Sequence, residues 1–79
     1  MQDWKEERNS LLKLFTFNNF QEALVFVNNV GMVAEELGHH PNITMQNYNE
    51  VFISTTTHDA GNTITEKDRA LAEKLDLLY

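Results

Sequence analysis

The sequence holds three histidines, and two of them are adjacent. His39 and His40 stand directly before Pro41, the only proline, and His58 follows 18 residues after His40. Side chains of this type, gathered in this way, suit a metal site, a proton-transfer site or an ordinary polar loop.

A metal site fits the pattern poorly. A structural zinc site usually takes four ligands, commonly including cysteines, and the chain has no cysteine and no HExxH run. Neighbouring residues such as His39 and His40 also tend to point apart, which makes joint chelation awkward. No metal is therefore expected. Proton transfer asks for less, because an imidazole with an unperturbed pKa of about 6.5 gives and takes protons near neutrality. Glu35, Asp59 and Asp68 are acidic residues that could orient such rings or offset their charge. The polar-loop reading explains the histidines without any chemistry.

The elements around these residues decide whether they can meet. "LLKLFTF" (11–17) reads as a strand, with Phe15 and Phe17 on one face at period two. "DWKEE" before it is the expected hairpin partner through "RNS", with Trp4 covering one face. Residues 18–37 read as a helix. Phe20, Leu24, Val27, Gly31, Ala34 and Leu37 recur at steps of three and four and form its expected buried stripe. Asn19 with Glu22 makes a capping-box start, and Gly38 supplies a left-handed exit. Val25, Met32 and Val33 lie off that stripe and suggest a second apolar contact, such as another subunit. Gly31 inside a helix implies close approach of another element.

"ITMQNY" and "EVFISTTT" follow as two strands joined by a tight turn at Tyr48-Asn49. Val51, Ile53, Thr55 and Thr57 share one face of the second strand, and Phe52, Ser54 and Thr56 the other. "HDAGNT" (58–63) reads as loop. The last helix opens at Thr65 with Asp68 three residues on, a second capping box that accounts for Asp68 by itself. Leu71, Leu75 and Leu78 give its buried stripe. The order β-β-α-β-β-α predicts an α+β fold: a two-layer sandwich of a four-stranded antiparallel sheet with both helices on one face. The histidines then fall at a helix exit and a strand end, separate elements that can converge.

At 79 residues the chain is expected to be a single domain, residues 1–79. A chain this short buries only about 60–65% of the surface its unfolded form exposes. With no disulfide to help, self-association is the simplest further source of stability. The net charge of −6, with the six Lys and Arg scattered at positions 5, 8, 13, 67, 69 and 74, argues against nucleic acid, which requires a basic stripe. No apolar stretch approaches membrane-spanning length, and the charged start "MQDWKEERNS" does not read as a signal peptide. A cytoplasmic location is expected. Asn42-Ile43-Thr44 matches the glycosylation sequon but carries no meaning there.

The ordered set Glu35-x-x-x-His39-His40-Pro41, six residues, Tyr48, nine residues, His58, nine residues, Asp68 resembles the pterin-4a-carbinolamine dehydratase family. Its flanks, "NNFQEALVFVNNVGMVAEEL", "YNEVFISTTTHDAG" and "TEKDRALAEKLD", agree, and the similarity covers nearly the whole chain from Trp4. The resemblance implies dehydration of 4a-hydroxytetrahydrobiopterin to quinonoid dihydropterin, in recycling of the pterin used by aromatic amino acid hydroxylases. It implies that no metal or organic cofactor takes part. It implies His39, His40, His58 and Asp68 as the catalytic set, with Glu35, Pro41 and Thr57 as substrate contacts. It also implies a homodimer or homotetramer, with an aromatic amino acid hydroxylase as a possible partner.

Some features depart from the family pattern. The chain begins almost at the first strand, without the helix that precedes it in animal members, which argues against a coactivator role. Ile43 stands where the family commonly has an aromatic residue. One extra residue lies between Pro41 and Tyr48 and another between His58 and Asp68, and "GNTIT" replaces a Gly-Gly-Leu-Thr run. These differences flank the expected pocket and bear on pterin affinity rather than on the fold. The alternative function is a non-catalytic oligomeric binding module of the same fold.

Overall fold

Two hairpins and two helices build the protein, as described by a computed structural model for residues 4–79. Strand β1 (Lys5–Glu7) turns back into β2 (Ser10–Thr16) through Arg8 and Asn9, both at positive φ (50° and 64°). That two-residue turn matches the right-handed twist of the strands it joins. Asp3, part of the expected hairpin strand, lies outside the described residues. Helix α1 (Phe20–Leu37) crosses over to the second hairpin, β3 (Asn42–Gln46) and β4 (Glu50–Thr55), and α2 (Glu66–Leu78) closes the chain. The sheet order is β1-β2-β4-β3 with every neighbouring pair antiparallel, so the predicted β-β-α-β-β-α architecture is the one observed.

Pleating sends Leu11, Lys13 and Phe15 of β2, and Val51, Ile53 and Thr55 of β4, to one buried face. Both helices pack there, and Phe15, Val51 and Ile53 share one core with Ala23, Phe26 and Val30 of α1 and Leu71 and Leu75 of α2. Each fully buried large side chain contributes on the order of 2–3 kcal/mol. Trp4 packs against this core as expected, meeting Phe15 edge-on at 5.9 Å between ring centroids. Leu12, Leu14 and Phe52, on the opposite pleat, stay half-buried.

The buried face of α1 differs from the predicted stripe. Ala23, Phe26, Val30 and Ala34 face the sheet, whereas Phe20, Leu24 and Leu37 are exposed. Of the predicted set only Ala34 is buried, with Val27 and Gly31 partly so. The helix carries two apolar stripes, and the one with two alanines fits closer to the sheet. Val25 and Met32 are exposed as well, while Val33 packs against the core. Gly31 has no close neighbour, since an added Cβ meets nothing within 4 Å.

Smaller corrections concern turns and ends. The β3–β4 turn is carried by Asn47 and Tyr48, at φ 48° and 56°, one residue earlier than expected. Residues His58–Ala60 form a 3₁₀ turn, and a bridge pairs Thr57 with Thr63. Leu78 is exposed, and Ala72 completes the buried stripe of α2 instead. At the start of α1, Asn19 accepts from the Glu22 amide at 2.8 Å, but the Glu22 carboxylate returns to the Asn18 amide rather than that of Asn19.

Candidate active site

The histidines are delivered by a helix ending. Gly38 takes the left-handed conformation at φ 63°. Its amide donates to the Glu35 carbonyl at 3.3 Å, and the His39 amide to the Ala34 carbonyl at 3.1 Å. These two bonds are the Schellman arrangement, which satisfies the last carbonyls of α1 while reversing the chain. Strand β3 then begins at Asn42, opposite Ser54 of β4. Residues 39–41 and 55–58 therefore lie at the same end of the β3–β4 pair, where the last turn of α1 and the first turn of α2 also arrive.

Asp68 is the centre of this end. It is fully buried and both its oxygens are saturated. Oδ1 is 2.6 Å from His39 Nε2 and accepts from the Thr55 hydroxyl at 2.6 Å. Oδ2 accepts from the Thr57 hydroxyl at 2.7 Å and from the Thr65 amide at 3.0 Å. The last bond is half of the expected capping box, so Asp68 both caps α2 and ties it to β4 and to the exit of α1. Burial alone would push the carboxyl up. The hydrogen bonds from Thr55, Thr57, His39 and the Thr65 backbone outweigh it and hold the carboxyl down at about 2. Asp68 is thus a carboxylate near neutral pH, and a carboxylate only accepts. His39 must then carry its proton on Nε2 and present Nδ1 on the other side of the ring.

The same logic orders the neighbouring hydroxyls. Thr57 has one proton and gives it to Asp68, so at its 2.7 Å contact with the Thr65 hydroxyl it accepts. Thr65 in turn accepts from the Lys67 amide at 3.3 Å.

The other expected residues take different positions. His40 is exposed and pairs through Nε2 with the Glu35 carboxylate on the last turn of α1. It lines an open concavity of about 640 Å³ with Glu35, Pro41, Ile43, Met32, Ala34 and Gly31, which neither His39 nor His58 lines. His58 is exposed on the 3₁₀ turn, with Nδ1 2.6 Å from Asn62 Oδ1. That bond places its proton on Nδ1 and leaves Nε2 as an acceptor. Thr57 is buried with its hydroxyl committed to Asp68. Asp59 is exposed on the same turn as His58. Thus the structure joins His39, Asp68 and Thr57 directly, pairs His40 with Glu35, and sets His58 one residue beyond Thr57. Among the described residues no group of three or more His, Asp or Glu is placed to hold a metal ion.

Thr55 and Thr65 were not expected as site residues. A signal for Thr55 was present: two hydroxyls two residues apart on an otherwise apolar strand face require a buried acceptor.

A family model for pterin 4 alpha carbinolamine dehydratase matches residues 1–78. A Thermomicrobium roseum protein provisionally named as a pterin-4-alpha-carbinolamine dehydratase is 50% identical over 72 residues, covering 91% of this chain and 75% of the relative. A Sulfurisphaera tokodaii protein with the same provisional name is 42% identical over 99% of this chain and 82% of its own length. Among solved structures, a transcriptional coactivator/pterin dehydratase from Brucella melitensis superposes with a TM-score of 0.86 at 30% identity, over 94% of this chain and 79% of that one. A pterin dehydratase-like RuBisCO assembly factor of the alpha-carboxysome gives 0.82 at 28% identity, over 98% and 89%. The chain belongs to the pterin-4a-carbinolamine dehydratase family.

Proposed function

We propose that the protein dehydrates 4a-hydroxytetrahydrobiopterin to quinonoid dihydropterin and water, using histidines as acid and base. The reaction breaks the C4a–O bond as the departing hydroxyl takes a proton, and removes the proton of the adjacent ring nitrogen to form the C=N bond. It needs one donor and one acceptor and no redox partner. The observation that carries this reading, beside family membership, is the pairing of buried Asp68 with the half-buried His39. An ionised, immobile carboxylate holds one ring nitrogen as donor and so leaves the other free to accept a proton. His39 or His58 serves as base and His40 as acid, with Glu35 as the acceptor that holds the His40 ring. Pro41 and the adjacent concavity contact the pterin, while Thr57 acts on it only through Asp68. The protein works as a homo-oligomer, dimer or tetramer, and regenerates the pterin consumed by an aromatic amino acid hydroxylase.

The test is the dehydration rate of freshly generated 4a-hydroxytetrahydropterin, followed by the absorbance of the quinonoid product. Wild-type protein should accelerate it, and His40→Ala should reduce kcat by roughly 10²–10⁴-fold while the protein stays folded. No acceleration by wild type would refute the enzymatic reading, and undiminished catalysis by His40→Ala would refute the acid assignment.

A second reading, a non-catalytic binding module, draws on the solved relatives described as a coactivator and an assembly factor. It also draws on the exposed Phe20, Leu24, Val25 and Met32 of α1, an apolar surface suited to a protein contact. It predicts partner binding that survives substitution of all three histidines.

A further inference from the structure

Thr55 is 1% exposed, at the end of β4 on the sheet face that packs on the helices. A valine would fill the same space, favour a strand equally and bury no hydroxyl. What the hydroxyl does is donate to Asp68 Oδ1 at 2.6 Å, the oxygen that also meets His39. Thr57, two residues on and on the same pleat, donates to the other oxygen at 2.7 Å. An aspartate carboxyl rotates easily about its terminal torsion. With one hydroxyl on each oxygen, and the Thr65 amide as a further donor, the plane of this carboxylate is locked.

We propose that Thr55 is a positioning residue for the dehydration: by fixing Oδ1 it keeps the His39 proton on Nε2 and aims Nδ1 for proton transfer. The proposal rests on the dehydratase reading of the site. The groups packed against Asp68 from other elements are the neutral hydroxyls of Thr55 and Thr57 and the single titratable ring of His39. Lys67 and Arg69 on its own helix are exposed, and the Arg69 guanidinium turns instead to Glu6. The state of His39 therefore depends on Asp68, and the alignment of Asp68 depends on Thr55. Without that hydroxyl, Oδ1 is held by the imidazole alone, and the ring can turn with the carboxylate or exchange its two nitrogens.

Two measurements on Thr55→Val and Thr55→Ser test this. The first is the ¹⁵N NMR tautomer signature of His39 in the folded, ligand-free protein, which needs no activity. Wild type and Thr55→Ser should show a single Nε2–H form, and Thr55→Val a mixture. The second is steady-state dehydration, where Thr55→Val should lose roughly 10–100-fold in kcat with KM unchanged and Thr55→Ser should recover most of it. A purely structural role predicts lost stability with the tautomer and kcat intact, and that result overturns the proposal. If Thr55→Val does not fold, Thr55→Cys keeps the volume with a weak donor; wild-type tautomer and kcat in that variant also overturn it. A wild-type protein without activity refutes the dehydratase reading, and with it the catalytic role of Thr55. The NMR comparison then still decides whether Thr55 sets the His39 tautomer.

Discussion

Lys13 Nζ lies 2.8 Å from Asp76 Oδ1, joining the middle of β2 to the last turns of α2 across 63 residues of sequence. The ammonium is enclosed, 5.0 Å from the Phe15 ring centroid and 5.9 Å from that of Trp4, and the Trp4 indole also donates to Asp76 Oδ1 at 3.1 Å. Asp68 at one end of α2 and Asp76 near the other therefore moor the helix to the sheet.

Asp76→Asn should strand a buried ammonium beside two aromatic rings. Breaking a fully buried pair costs about 3–5 kcal/mol, and the partial exposure of Asp76 reduces this to about 2. Lys13→Met, which keeps the stem packing and removes the charge, should cost less. Urea unfolding of the two variants checks the order; Lys13→Met as the weaker of the two would contradict it.

Acid should weaken the protein through Asp68. Its carboxyl titrates at about 2 when folded, against a reference value of 3.8. The folded value is the depressed one, so the stabilisation is fully present above 3.8 and is lost as pH falls towards the folded value. The difference corresponds to about 2 kcal/mol. Denaturant midpoints taken from about pH 5 down to about pH 2 should show this fall, and Asp68→Asn should flatten it.

The same Asp68→Asn substitution should separate folding from chemistry. An amide cannot accept from four donors, and its NH₂ opposes at least one of them. The tautomer preference of His39 is lost, so kcat should drop by roughly 10²–10⁴-fold, with a smaller change in KM. Paired measurement of dehydration kinetics and near-UV circular dichroism checks that the fold persists.

Two glycines should respond oppositely to alanine. Gly31 sits in open space in the middle of α1, so Gly31→Ala should stabilise by about 0.5–1 kcal/mol. Gly38 holds φ 63° at the turn that delivers the histidines, so Gly38→Ala should destabilise by about 1–2 kcal/mol. Thermal unfolding of both variants gives the signs. A destabilising Gly31→Ala would point to a neighbour packed against that face.

Element types and order were legible because each signal was local. Strand alternation, the Asn19 and Thr65 caps and the Gly38 exit each depend on a few adjacent residues. The buried face of α1 was not legible, since Phe20 and Leu24 make as good a periodic stripe as Phe26 and Val30. Only contact with the sheet, which favours the small Ala23 and Ala34, selects one of them. At the site, the spacing of the histidines with Asp68 singled out candidates, but not their connections. The capping box explained Asp68 so fully that Thr55 went unread and Thr57 was read as a substrate contact, although both donate to its carboxylate. That His40 faces one concavity while His39 turns to Asp68 follows from the chain reversal at Gly38, which spacing does not reveal.

The chain of bonds from the Lys67 amide through Thr65 and Thr57 to Asp68 runs in one direction, and it ends on a carboxylate with every acceptor position taken. For proton movement this is a cul-de-sac. In the proposed dehydration, a proton placed on His39 would find no vacancy behind the ring and would leave by the nitrogen through which it arrived. On that proposal the interior would act as a fixed electrode rather than a relay, and the proton would return by the side of the ring turned away from Asp68.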